Sequence, residues 1–274
     1  MTTIAEKLTT IKNALTAIKN SIIAKGQTPT GDITTYATAI DNIESGGGSG
    51  SDFIGIPKEV TSDGVFGFPT ENFTFTLPSN VKDVFDYALY YAFYNCTSLT
   101  SVDLSSLSTI SGKNALTNAF FSCTNLTSVD LSNLSTISST SALTNAFYDC
   151  DSLTSVDLSS LSTISGAYAL NDVFSDCTNL TSVDLSNLST VNGDSALFGA
   201  FDKCTSLKEL SFPALTSKSF GSYTNQFYCM LFGVTGCTVH FPSNLESVIG
   251  SWSDVISGFD GNSTQILFDL PATE

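Results

Sequence analysis

Apolar residues recur along the middle of this chain in the spacing L-x-x-V-x-L-x-x-L, seen first at Leu99, Val102, Leu104 and Leu107. Val102 and Leu104 are separated by the polar Asp103, the alternation of a short strand with one face turned inward. The spacing returns every 27 residues, so that the Val position runs through Val102, Val129, Val156, Val183 and Leu210. Phe75, in Phe75-Thr76-Leu77, stands 27 residues ahead of Val102 and reads as an atypical opening strand. Val239 follows Leu210 by 29 residues and Ile266 follows Val239 by 27. Pro78-Ser79-Asn80 and Pro242-Ser243-Asn244 come after the strand at one common offset, which ties the outer members to the series.

Self-similarity at such a period means stacked supersecondary units sharing one continuous core. The prediction is a solenoid with eight rungs, about 34 Å long at about 4.8 Å per strand step. Its first and last rungs depart from the repeat, as capping requires. Phe93, Phe120, Phe147, Phe174 and Phe201 keep the period, as do Cys96, Cys123, Cys150, Cys177 and Cys204. Both columns are expected between rungs, the cysteines as small buried hydrophobes with free thiols.

The run A-F-x-x-C-x-x-L-x-x-V-x-L, from Ala119-Phe120 to Leu131, resembles the leucine-rich repeat of the BspA type. The resemblance covers about residues 72–270. It implies an α/β repeat solenoid with parallel strands on one face, short helices or turns on the other, and a role in surface attachment. The units here are longer than the family's usual ones. The extra residues fall at 111–116 and their equivalents, which is expected to lengthen the back face. Lys113, Thr140, Tyr168 and Asp194 are the back-face residues that differ between copies.

A different periodicity governs residues 1–45. Ile4, Leu8, Ile11, Leu15, Ile18 and Ile22 alternate in steps of four and three, the seam of a heptad repeat. Leu8, Leu15 and Ile22 fall at position a and Ile4, Ile11 and Ile18 at d, a combination that favours trimers or tetramers. A loop with Gly26, Pro29 and Gly31 precedes a second helix that opens at Asp32 and sets Ile33, Tyr36, Ile40 and Ile43 on one face. The stripe either assembles chains, with a homotrimer the leading expectation, or packs the first helix on the second. This segment is similar to N-terminal segments of structural proteins from bacteriophages of gut bacteria. Residues 46–51, Gly-Gly-Gly-Ser-Gly-Ser, form a flexible linker. Residues 52–274 are the solenoid.

Charge narrows the partners. The chain carries no Arg and a formal charge of −16, and residues 1–45 are neutral, so the negative charge lies in the remainder. Such a surface repels phosphate backbones, which argues against nucleic acid. No stretch is long and apolar enough for a transmembrane helix, so no membrane insertion is expected. The N-terminus lacks an unbroken apolar core of the secretory type, which favours release by lysis and a place in a virion. Catalysis and zinc find little footing: the single histidine, His240, sits at an outward strand position, and no Cys-x-x-Cys pair or nucleophile motif is present.

One feature resembles a site. Asp103, Asp130, Asp157 and Asp184 occupy the outward position of consecutive strands, beside Ser101, Ser128, Ser155 and Ser182. In-register stacking would bring the carboxylates to about 5 Å from one another, where like charges disfavour ionisation. Calcium, or sugar hydroxyls donating to the carboxylates, would relieve that repulsion; water screening of a duplicated surface residue is the plainer reading. No cofactor is implied beyond that possible calcium. The expectation is a non-enzymatic virion fibre protein, in contact with other virion proteins and with a host surface glycan or protein. A receptor-binding tail fibre leads, with a head fibre or capsid decoration and a bacterial adhesin of the BspA type as alternatives.

Overall fold

A computed structural model describes residues 59–60, 66–67, 72–77, 79–220, 225–249 and 264–273. The heptad seam at Ile4 to Ile22, the second helix and the linker lie outside the described residues.

A small antiparallel pair, β1 (Glu59–Val60) with β2 (Phe66–Gly67), comes first. The predicted outward-and-inward strands then appear where the sequence placed them. They are β3 (Phe73–Thr76), β4 (Leu99–Asp103), β6 (Ser128–Asp130), β8 (Ser155–Asp157) and β10 (Ser182–Asp184), followed by β12 (Glu209–Ser211), β13 (Thr238–Pro242) and β14 (Gln265–Leu270). The first five make one parallel sheet in the order β10-β8-β6-β4-β3, and the last three a second in the order β12-β13-β14. Register follows the repeat: Phe75 pairs with Val102, Val102 with Val129, and Val156 with Val183. Leu210 pairs with Val239 and Val239 with Ile266, so both outer rungs belong to the series.

A further sheet, of two-residue strands, is new. Two-residue strands β5 (Thr109–Ile110), β7 (Thr136–Ile137), β9 (Thr163–Ile164) and β11 (Thr190–Val191) stack in parallel just ahead of the inserted residues. Each sends one Ile or Val fully into the core. The insertion therefore follows a second strand instead of simply extending a back face.

The third side of each coil is built from turns, and helix is scarce. Among the described residues the α-helical stretch is α1 (Glu246–Ile249), after a 3-10 turn at Ser243–Leu245. The turn side alternates its hydrogen bonds. Leu116, Asn118 and Phe120 donate their amides to the carbonyls of Ala142, Thr144 and Ala146 in the next coil, at 2.8, 2.9 and 2.9 Å. Thr117, Ala119 and Phe121 donate three residues back along their own coil. An α-helix would spend every interior amide four residues back, leaving none to tie the coils together. Every fourth residue, as at Asn114, Asn118 and Ser122, takes a left-handed backbone to turn the chain. Coils approach closely near the start of this side: a Cβ on Gly166 would land on the backbone carbonyl of Ser139.

The core is a set of columns. Phe93, Phe120, Phe147, Phe174 and Phe201 stack ring on ring, with centroids 5.3, 5.2, 5.6 and 5.9 Å apart. Beside them Cys123, Cys150, Cys177 and Cys204 each donate a thiol proton to a phenylalanine carbonyl one coil back, at 3.1, 3.3, 3.1 and 3.0 Å. All described cysteines are free, and all but Cys229 are buried.

Candidate functional site

The strand face carries the residues singled out in the sequence. Ser101 pairs with Ser128 and Asp103 with Asp130; Asp130 pairs with Asp157; Ser155 and Asp157 pair with Ser182 and Asp184. The eight side chains therefore stand in two parallel columns on neighbouring rungs, the serines two residues before the acids. In the three later rungs all six are exposed, while Ser101 and Asp103 are half-buried. The parity that points Val129 and Val156 inward is what turns these residues out.

Each aspartate has a structural task that the sequence reading did not assign. Oδ1 of Asp103, Asp130, Asp157 and Asp184 accepts the amide of Ser105, Ser132, Ser159 and Ser186, at 3.0, 3.0, 2.9 and 2.9 Å. This is an Asx turn closing the bend after the strand, and D-x-S in each repeat is its signal. Hydrogen bonds from the Ser159 side chain and then its amide hold the Asp157 carboxyl below the usual carboxylate range. At Asp157 the hydrogen bonds of the turn outweigh the opposing effect of burial.

The calcium reading lacks geometry. Among the described residues no three acidic, histidine or cysteine side chains converge as metal ligands, and one oxygen of each ladder carboxylate is already occupied by a turn amide. The columns remain an open hydroxyl-and-carboxylate surface. They end at a shallow depression lined by Ser155, Asp157, Ser182, Asp184, Ser186 and Ser211. It sits where β10 meets β12 and the ladder of the first sheet stops.

Other candidates are placed plainly. His240 points outward, as expected, with Nδ1 2.8 Å from Oδ1 of Asp269 and Nε2 4.0 Å from Oε1 of Glu209. Tyr168 shares a column with Asn114 and Ser141, not with Lys113 and Thr140 as the comparison of copies had it, since all three take the same left-handed backbone. The signal most easily missed was Asp86-Tyr87-Ala88-Leu89-Tyr90-Tyr91, where exposed tyrosines replace the polar residues of the next two coils.

Parallel strands in register, leucine and phenylalanine columns inside, and turns closing each coil define a leucine-rich-repeat solenoid, an architecture that usually binds and does not catalyse. The BspA type leucine rich repeat region matches in six copies, over residues 52–172 and 90–228. The chain belongs to that family. A leucine-rich repeat protein from Bacteroides ovatus is similar in structure at 19% identity and a TM-score of 0.32, covering 62% of this chain and 51% of that one. A leucine rich cell surface protein from Faecalibacterium prausnitzii is similar at 19% identity and a TM-score of 0.28, covering 70% and 59%. The chain thus spans between half and three fifths of these solved structures. No curated protein matches.

Proposed function

We propose that the solenoid is a non-catalytic attachment module of the bacterial cell-surface type, and that its strand face makes the contact. The observation that carries this reading is the in-register Ser and Asp columns, a surface of hydroxyls and ionised carboxylates repeated at the strand spacing. Such a surface offers acceptors to sugar hydroxyls or to the amides and ammonium groups of a protein. Family membership, with the surface role that the repeat implies, supports attachment over a virion fibre. The virion reading rests on residues 1–45, and the comparisons lend it nothing.

Weak contacts of this kind gain from repetition. If residues 1–45 assemble chains into a homotrimer, three solenoids act together and the later binding events become intramolecular.

The test is the double variant Asp130→Asn with Asp157→Asn in the full chain, assayed for binding to a panel of fixed bacterial and animal cells with and without calcium. Asn keeps an oxygen for the Ser132 and Ser159 amides, so the fold persists. Binding severalfold weaker under both conditions is expected. Unaltered binding under both conditions removes the carboxylates from the site.

A further inference from the structure

The turn side of the first coil departs from the next two coils in its exposed columns, and one of these changes returns in the fourth coil, where Tyr168 stands in the column of Tyr87. The first coil holds tyrosine at 87, 90 and 91, where the next coil holds Asn114, Thr117 and Asn118 and the one after holds Ser141, Thr144 and Asn145. Amides in these coils bond to the next coil in the same alternating way, so the change is one of side chain and not of backbone. Tyr87, Tyr90, Tyr91 and Tyr94 are 50, 45, 45 and 37% exposed. Tyr87 and Tyr91 moreover adopt φ of 60 and 55°, a left-handed backbone that suits the Asn of later coils far better than an aromatic residue. Strained, exposed aromatic residues held at the positions of polar ones point to a use for the rings.

The rings brace one another. Tyr87 meets Tyr90 edge-on at 5.4 Å, Tyr90 meets Tyr91 at 4.6 Å, and Tyr91 stacks on Tyr94 at 5.2 Å. The track then turns across the coils, with Tyr94 on Phe121 at 4.8 Å and Phe121 on Tyr148 at 4.7 Å. Aromatic side chains fixed in this way lose little freedom on binding, which is why tyrosine dominates recognition surfaces among serine and asparagine. The surroundings are acidic chiefly at one end. Asp86 opens the row with Oδ1 accepting the amide of the exposed Lys113 at 2.7 Å, so that a cationic residue stands beside its charge. The Tyr148 end, by contrast, is flanked by Asp149 and by Asp176, whose carboxylate accepts the Tyr148 hydroxyl and pushes that phenol up to about 12. Lys203 offsets part of this charge, 3.2 Å from Asp176 and 3.8 Å from Asp202.

We propose that this tyrosine track is a docking surface for a basic, arginine- or lysine-bearing protein segment, separate from the strand face. Cations are attracted to the faces of tyrosine rings, and more so beside carboxylates. Charge complementarity selects the occupant: a chain of formal charge −16 repels anionic glycans, nucleic acid and anionic lipid, and draws cationic protein.

The experiment uses the full chain and an alternating Arg–Gly peptide as probe, with binding measured by calorimetry at physiological ionic strength. The triple variant Tyr87→Asn, Tyr90→Thr, Tyr91→Asn writes the second coil's residues into the first without changing net charge. About tenfold weaker peptide binding is expected, with a melting temperature equal to or above that of the native chain. Tyr90→Thr alone, at a position with an ordinary backbone, is expected to give part of the loss. Equal binding by native and variant chains would show long-range charge alone and overturn the proposal. So would absence of binding by the native chain, as would loss of self-association in the variant, which would assign the track to a second copy. A neutral glycan bound more tightly than the peptide through the same tyrosines also overturns it.

Discussion

The cysteine column shows how a single residue type is fitted to the coil. Cys123, Cys150, Cys177 and Cys204 each donate a thiol proton to a carbonyl of the preceding coil, while Cys96 meets the Ser98 hydroxyl. Burial pushes Cys123 and Cys177 up to about 12 from an ordinary value near 9, and raises Cys150 and Cys204 in the same direction. A thiol held neutral is inert to alkylation and disulfide exchange. Native protein at mildly alkaline pH should therefore label with a thiol reagent at Cys229 alone among the described cysteines, and unfolded protein at all seven. The linkage has a definite sign. Unfolded thiols lose protons above about 9, whereas the folded ones keep theirs, so the stability they contribute is complete below that pH and is lost as pH rises toward about 12. The melting temperature should fall across this window, and replacing Cys123 and Cys177 by Ala should flatten the fall.

At the scale of elements the stacked phenylalanine column carries much of the cohesion between coils. Phe147 is fully buried between Phe120 and Phe174. Phe147→Ala should cost about 3–5 kcal/mol in chemical denaturation, whereas Ser160→Ala, on a bend after β8, should stay within about 0.5 kcal/mol. Similar losses at both would contradict the register. These elements were legible in uneven measure. The strand columns could be read because Leu, Val and Leu return at a fixed period with a polar residue between the inward pair. The sheet of two-residue strands could not, since a strand such as Thr109–Ile110 has no room to show alternation. The turn side was hidden for another reason. Leu116, Phe120 and Cys123 have the spacing of a helix face, and sequence does not reveal that alternate amides are spent on the neighbouring coil. The Asp column was visible, but its role in closing a turn appeared only with the position of the Ser159 amide.

The whole molecule joins an acidic solenoid to a neutral N-terminal segment. Its charge distribution and the extent of the repeat were readable from sequence because both are sums over many residues. The tyrosine track, whose row at Tyr87, Tyr90 and Tyr91 belongs to the first coil, escaped a reading built on what the coils share. If residues 1–45 assemble chains through Ile4, Leu8, Ile11, Leu15, Ile18 and Ile22, light scattering should find three times the 29.0 kDa of one chain. A chain lacking residues 1–45 should then be monomeric. A monomeric full-length protein would leave packing of the first helix on the second as the role of the stripe.

The strand face as the surface of attachment is tested most directly by blocking it. Ser155 and Ser182 are exposed, paired across β8 and β10, and line the depression beside Ser211. The variant Ser155→Lys with Ser182→Lys places two long cations over the columns without entering the core. Its melting temperature should match that of the native chain within a few degrees, since changes at exposed positions are small. Binding of the full chain to the cells that the native protein recognises should fall at least tenfold. Native-level binding by a folded variant would contradict the account.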